Sequence, residues 1–379
     1  MSLLTRKRTV LAKIESVYGT DPTPTGSANA MLVTNLNFNP VQASQVSRDL
    51  IRPYLGNSES LLAEKYVQVS FEVEMAGAGA AGSIPAYDCL LRACAMTKAV
   101  NTAAITSLTQ TGGVATAALT AHGYNVGDKV LISGASVSAY NGVQTITAKT
   151  TNTFSFTVPG GTTTPDAGTP VVNTSVVYSP VSSSFESVTI YYNVDGVLHK
   201  MVGAMGNVEL NLAVKNIPRF KFTFTGLYVS PADVVAPSVD YSAFQIPFVA
   251  NTQNTPGFSL FSYSGNMESM ALQIANDVQY IPLIGTESVK ILDRKPAGTL
   301  VFEAPTITSK DFFSLVANQT KGAVQIKHGT VAGQMVQFDA PAALLGNPTY
   351  QDSNGVQMLS TPFTLNPVSG NDEFTITIK

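Results

Sequence analysis

Residues 54–96 open on Tyr54-Leu55-Gly56-Asn57-Ser58-Glu59-Ser60, run through VQVSFEVEM and a small-residue loop, and end in a short apolar segment. Residues 283–318 open on Leu283-Ile284-Gly285-Thr286-Glu287-Ser288, run through TLVFEA and a Thr/Ser loop, and end in another. One block of turn, strand, loop and helix therefore occurs twice. Solenoid units are only about 20–50 residues long, so a repeat at this separation marks a duplicated domain. Within the first block, Val67, Val69, Phe71 and Val73 alternate with Gln68, Ser70, Glu72 and Glu74, the pattern of a half-buried strand. Pro85 stands at the first turn of the following helix, where its missing N–H is harmless, and Tyr87, Leu90, Leu91 and Cys94 share one face. The echo offers Ser309 as an N-cap and a stripe of Phe312, Leu315 and Val316.

Outward from these blocks the chain reads as strands and turns. Residues 187–194 and 197–204 flank Asp195-Gly196 as a hairpin, and Phe220, Phe222 and Phe224 alternate in the next strand. In the second block, residues 323–328, a turn at Gly329 and residues 334–338 take the hairpin's place, and Phe374, Ile376 and Ile378 alternate at the end. From Ala99 to Gly127 no Asp, Glu, Lys or Arg occurs, and Asn141-Gly142 gives a hairpin cue among short β-like runs. Nothing matches this in the second block, so residues 103–174 read as an inserted small all-β domain. Upstream, residues 31–38 alternate weakly as a first strand, and residues 39–65 read as a long connection carrying mixed charges. The partition is then an N-terminal arm (1–30), a discontinuous first β unit (31–102 and 175–235), the insert (103–174), a proline-punctuated linker (236–256) and a second β unit (257–379).

Hydrophobic residues make up 44% of the 379, so core material is ample and two or three domains are expected. Charged residues make up 12%, against roughly 25% in an ordinary soluble protein. Two readings stay open: a Thr/Ser-rich surface, or a surface largely covered by copies of the same chain. A net charge of −3 supplies no basic field for nucleic acid or anionic lipid, and no apolar run is long enough to span a bilayer. After Arg6, Lys7 and Arg8 the apolar segment is broken at Lys13, too soon for a signal peptide, so synthesis in the cytoplasm is expected. Cys89 and Cys94 diverge around a helix and read as buried small residues rather than a disulfide.

Catalytic signals are weak. Gly77-x-Gly79-x-x-Gly82 follows a strand and precedes a helix, but no acidic residue follows Asp88 until Asp128, and no parallel strand follows the helix directly. A dinucleotide site needs both; the bland reading is a loop that lets chains approach closely. His122, His199 and His328 are scattered without metal-ligand spacing, and a half-exposed strand histidine is the reading for the last two. Glu72 and Glu74 share a strand face with no sign of a cleft. The expectation is a protein with no enzyme activity, cofactor or metal.

The segments ESVYGTDPTPTG (15–26), Arg48 to Ser60, VSFEVEMAGAGAAG (69–82), PAYDCLLRAC (85–94), VTIYYNVDGVLHK (188–200), FEAPTITSKDFF (302–313) and NPTYQDS (347–353) together resemble the major tail tube proteins of long flexible-tailed (siphovirus-type) bacteriophages. The resemblance covers nearly everything outside the insert, which is similar to the Ig-like or barrel-like decorations of phage tail proteins. It implies a mainly β fold: two tandem tail-tube-type barrels or sandwiches, each flanked by one helix, plus the inserted domain. It further implies homo-oligomeric rings, three chains giving six barrels, stacked into a virion tail tube assembled in the bacterial host cytoplasm. DNA and a tape measure protein would occupy the lumen without sequence-specific binding, with tail terminator and distal tail proteins at the ends and no membrane partner. On this reading residues 41–65 and 275–290 reach the next ring, and Arg48, Arg52, Tyr54, Glu59, Asp277, Tyr280 and Glu287 are the interface candidates. The alternative of another class is a surface-exposed adhesion module that contacts the host through the insert.

Overall fold

The computed structural model describes residues 3–379, and all of its named strands pair antiparallel. The chain begins with β1 (Arg8–Ile14), a single helical turn α1 (Gly26–Asn29) and β2 (Ala30–Met31). A long hairpin follows, β3 (Thr34–Ser47) and β4 (Ser60–Glu74), then α2 (Asp88–Arg92) and β5 (Met96–Ala104). Next come β6 (Ser107–Thr111), β7 (Val114–Ala118), β8 (Lys129–Ser133), β9 (Gly142–Lys149) and β10 (Thr153–Thr157). The chain returns through β11 (Val171–Pro180), β12 (Val188–Val194), β13 (Val197–Ala213) and β14 (Arg219–Asp233). The second half holds β15 (Gly257–Leu260), β16 (Met267–Gln273), β17 (Asn276–Leu283), β18 (Thr286–Arg294), β19 (Ala297–Glu303) and α3 (Phe312–Ala317). It closes with β20 (Lys321–His328), β21 (Val336–Leu345), β22 (Thr349–Ser353), β23 (Val356–Leu365) and β24 (Thr375–Ile378). The protein is mainly β.

The first half is organised on β4 and β14. Val73, Phe71 and Val69 stand opposite Phe220, Phe222 and Phe224, and all six are buried. The Phe222 and Phe224 rings stack at 5.9 Å. Each such ring contributes about 1.5–3 kcal/mol by leaving water. Pairing gives the order β1-β12-β13-β14-β4-β3. Tyr87, Leu90, Leu91 and Cys94 bury the face of α2 in the same core, and the Tyr87 hydroxyl donates to the Ala76 carbonyl at 2.6 Å.

The second half repeats that order as β15-β20-β21-β23-β19-β16. Strands β21 and β22 together do the work of β13: both lie along β23, on successive stretches of it. The halves meet edge to edge. Strand β16 pairs with residues 209–213 of β13, and β24 sits between β11 and β21. One hydrophobic core runs through both, from Val10 to Ile378.

Strands β6 to β10 form a small sheet of order β6-β7-β10-β9-β8, and β8 pairs with β11. Its separate core holds Leu108, Val130, Tyr140, Ile146, Phe154 and Phe156. The ribbon β5–β11 connects it to the rest.

Four expectations change. Within the stretch read as an N-terminal arm, residues 8–14 are a core strand: β1 lies beside β12 with Val10, Leu11 and Ala12 all buried. Covering on both faces produced a run rather than an alternation. The long connection is shorter than expected: residues 39–47 and 60–65 pair as the outer part of the β3–β4 ribbon, exposed on both faces and therefore without a period-2 signal, and residues 48–59 join them. The cap of α3 is Asp311, whose carboxylate accepts the Ser314 N–H at 2.9 Å, not Ser309.

The fourth change concerns His328, which is buried rather than half-exposed. Its Nε2 lies 3.1 Å from the Phe248 carbonyl, so that nitrogen carries the proton, and its Nδ1 accepts from Thr255 Oγ1 at 2.9 Å. This neutral tautomer ties residues 248–255 onto β20. Burial holds the imidazole pKa below its ordinary value, so the native ring resists protonation while the unfolded ring titrates at about 6.5. The stabilisation is therefore complete above that pH and is lost as pH falls through the depressed native pKa. A pH series of melting curves is expected to show this acid-side loss, and the loss is expected to shrink in His328→Gln.

Candidate functional site

The glycine loop after β4 is filled by the chain itself. Gly79 N–H donates to the Gly333 carbonyl at 2.8 Å, and a Cβ on Gly77 would stand 2.2 Å from that oxygen. A Cβ on Gly82 would meet Asn173 at 2.2 Å. A pyrophosphate would need the space that the 329–335 turn occupies, so the loop serves close backbone packing between the two halves. His122 Nε2 bonds the Thr153 carbonyl within the small sheet, and His199 lies half-buried with its ring 5.2 Å from Phe38. Glu72 pairs with Arg219 at 3.2 Å. Cys89 and Cys94 are free thiols, and burial pushes Cys89 up to about 12 and Cys94 well above its ordinary value.

What the fold presents outward are strand edges and two ribbon tips. In the first ribbon, the Arg48 N–H donates to the Glu59 carbonyl at 2.9 Å, and the two side chains form an exposed ion pair at 3.2 Å. Beyond this clasp Arg52 lies 6.0 Å from the Tyr54 ring, and Ile51 and Leu55 are fully exposed at 105% and 102%. In the second ribbon, β17 and β18 pair, among the described residues, with each other alone. Leu283 faces Thr286 across a two-residue turn, and Ile284 is 108% exposed. At the first tip Leu50, Ile51, Tyr54 and Leu55 are all exposed, and contiguous exposed apolar surface marks an interaction site.

The base of the second ribbon is fastened to the first half. Tyr280 stacks on Tyr66 at 5.0 Å, and Asn276 Nδ2 donates to the carbonyls of Cys94 and Gly206 at 2.9 and 3.1 Å. The Val289 N–H donates to Tyr18 Oη at 2.6 Å. Arg294 donates to the Val181 carbonyl at 2.9 Å and, within its own half, pairs with Glu373 at 3.0 Å. Desolvation, with the Glu287 and Glu64 carboxylates adding to it, pushes the Tyr280 hydroxyl up to about 12.

The seven residues singled out from sequence thus fall into two groups. Arg48, Arg52, Tyr54 and Glu59 cluster at the first tip, where Arg48 and Glu59 engage each other. Asp277, Tyr280 and Glu287 lie on the second ribbon, where Tyr280 is half-buried against Tyr66 and Asp277 accepts from Gln279 Nε2 at 2.6 Å. Sequence reasoning favoured charges and missed the apolar tips, Ile51, Leu55 and Ile284. The available signal was a large aliphatic residue directly before the turn glycine in both Leu55-Gly56 and Ile284-Gly285.

Open edges and apolar tips are surfaces through which a chain packs against other chains. The sequence profile of a family described as "Phage tail tube protein" matches residues 5–365. The chain belongs to this family, which is structural and non-enzymatic and places it in the virion tail. No curated protein matches the chain.

Proposed function

We propose that the chain assembles with copies of itself into rings that stack into a hollow tube, through which DNA passes during ejection. The observation that carries this reading is the pair of projecting ribbons with fully exposed Ile51, Leu55 and Ile284 at their tips. Buried at contacts with other rings, these residues gain the hydrophobic stabilisation that solvent denies them. Two copies of one strand order per chain suit a ring of three chains carrying six β units, formed by heterologous contacts that close. In this reading residues 31–102 with 175–235 and residues 257–379 are the two tube units, residues 103–174 are a decoration, and residues 236–256 link the units. Arg48, Arg52, Tyr54, Glu59, Asp277, Tyr280 and Glu287 flank the inter-ring contact. A net charge of −3 suits a bore in which phosphates slide rather than stick. The tape measure protein occupies that bore during assembly in the host cytoplasm, and terminator and distal tail proteins close the ends. Negative-stain microscopy of the purified full chain tests this: stacked rings are expected, and discrete monomers at every concentration would refute it.

A further inference from the structure

The second half grips the first through two contacts. Along the sheet, β16 pairs with residues 209–213 of β13, beyond the stretch that β12 covers. Across the sheet, the β17–β18 ribbon sets Val289 and Ile291 against Ala95 and Met205, leaving them 1% and 8% exposed.

Because both halves share one strand order, each part of this grip has a counterpart. Strand β3 stands in the first half where β16 stands in the second, each pairing with the strand that precedes its helix, β4 and β19. The outer β3–β4 ribbon corresponds to β17–β18, and Glu59-Ser60-Leu61 matches Glu287-Ser288-Val289 just after the turn glycine. On the receiving side, β22 corresponds to residues 209–213 of β13, since each lies next to the turn leading into β23 or β14. The residues after the two helices agree as well, Ala95 and Gln319 having φ of 60° and 51°.

In the chain alone, these counterparts are unused. Among the described residues β3 pairs only with β4, and β22 only with β23, so each keeps an open edge. Leu61 is 51% exposed where its counterpart Val289 is buried. Beside the open edge of β22, Tyr350 and Phe313 lie exposed with their rings 5.8 Å apart. One half therefore holds a grip with no target, and the other a seat with no occupant.

We infer that the occupant is a second copy of this chain: its β3 extends the sheet at β22, and its Leu61 packs where β22 and α3 meet. The contact between chains then repeats the contact within the chain, head to tail. Unpaired backbone groups on both edges favour this addition, as at any exposed strand. The inference rests on the self-assembly reading above and specifies its surfaces.

Full-length chains carrying Asn39→Cys or Gln351→Cys, mixed and assembled, test it with a short bismaleimide. The native thiols, raised by burial, react slowly. Covalent dimers are expected only when both variants are present, and a ladder of higher species when one chain carries both. Rings or tubes without cross-linked product overturn the inference and leave the self-assembly reading intact. Absence of any assembly by the wild-type chain sinks both. Independently, Leu61→Glu is expected to leave the monomer's melting temperature unchanged and abolish rings; rings that persist in that variant also overturn the inference.

Discussion

A chain carrying Ile51→Asp and Leu55→Asp is expected to fold normally, to form rings, and to fail to stack them into tubes. Both side chains are fully exposed in the isolated subunit, and surface substitutions of that kind change stability by only about 0.5 kcal/mol. In a tube, each aspartate would sit in a contact that excludes water, where an unpaired carboxylate costs several kcal/mol. Repeated around a ring, that penalty is large enough to abolish stacking altogether. Calorimetry should therefore superimpose on wild type while electron micrographs show rings in place of tubes. Tubes of normal length in the double variant would mean that the first ribbon's tip contacts nothing that matters.

Gly333→Val is expected to have the opposite profile, with the subunit itself failing. Gly333 has φ +85°, and a Cβ there would lie 2.5 Å from both Ala80 N and Ala80 Cα. Left-handed backbone costs a branched residue about 1–3 kcal/mol, and the backbone overlap adds about 1–3 kcal/mol more. Neither side can retreat easily, because the Gly333 carbonyl accepts from Gly79 and its N–H donates to the Lys379 carbonyl at 2.9 Å. A loss of about 3 kcal/mol or more in denaturant unfolding is the expected reading, with assembly lost as a consequence. Unaltered unfolding would show that the turn and the glycine loop are not held together in solution.

These two positions also show how far sequence reading reaches. Strands β4 and β14 were legible because each alternates between core and exterior, with Val67 to Val73 and Phe220 to Phe224 on the inner side. The face of α2 was legible for the same reason at helical spacing. Strand β1 was not, because Val10, Leu11 and Ala12 are buried in succession. The outer β3–β4 ribbon was not, because Gln42 to Ser47 face solvent on both sides and their pairing to residues 60–66 depends only on backbone bonds. Duplication was visible in the paired glycine turns, yet the seam between the halves was not. It is made by pairing across long separations, such as Leu210 with Leu272, and no local pattern encodes it. At the candidate site, sequence located both ribbons but weighted their charges over the aliphatic residues at their ends.

The position of β24 has a kinetic consequence. Residues 376–378 lie between residues 176–178 on one side and 336–338 on the other, closing the sheet with segments far apart along the polypeptide. Contacts of such high order form late and slowly. Until they form, β11 and β21 each carry an additional bare margin, competing with the margins reserved for neighbours. Refolding of the single subunit should therefore be slow, at a rate that does not change on dilution.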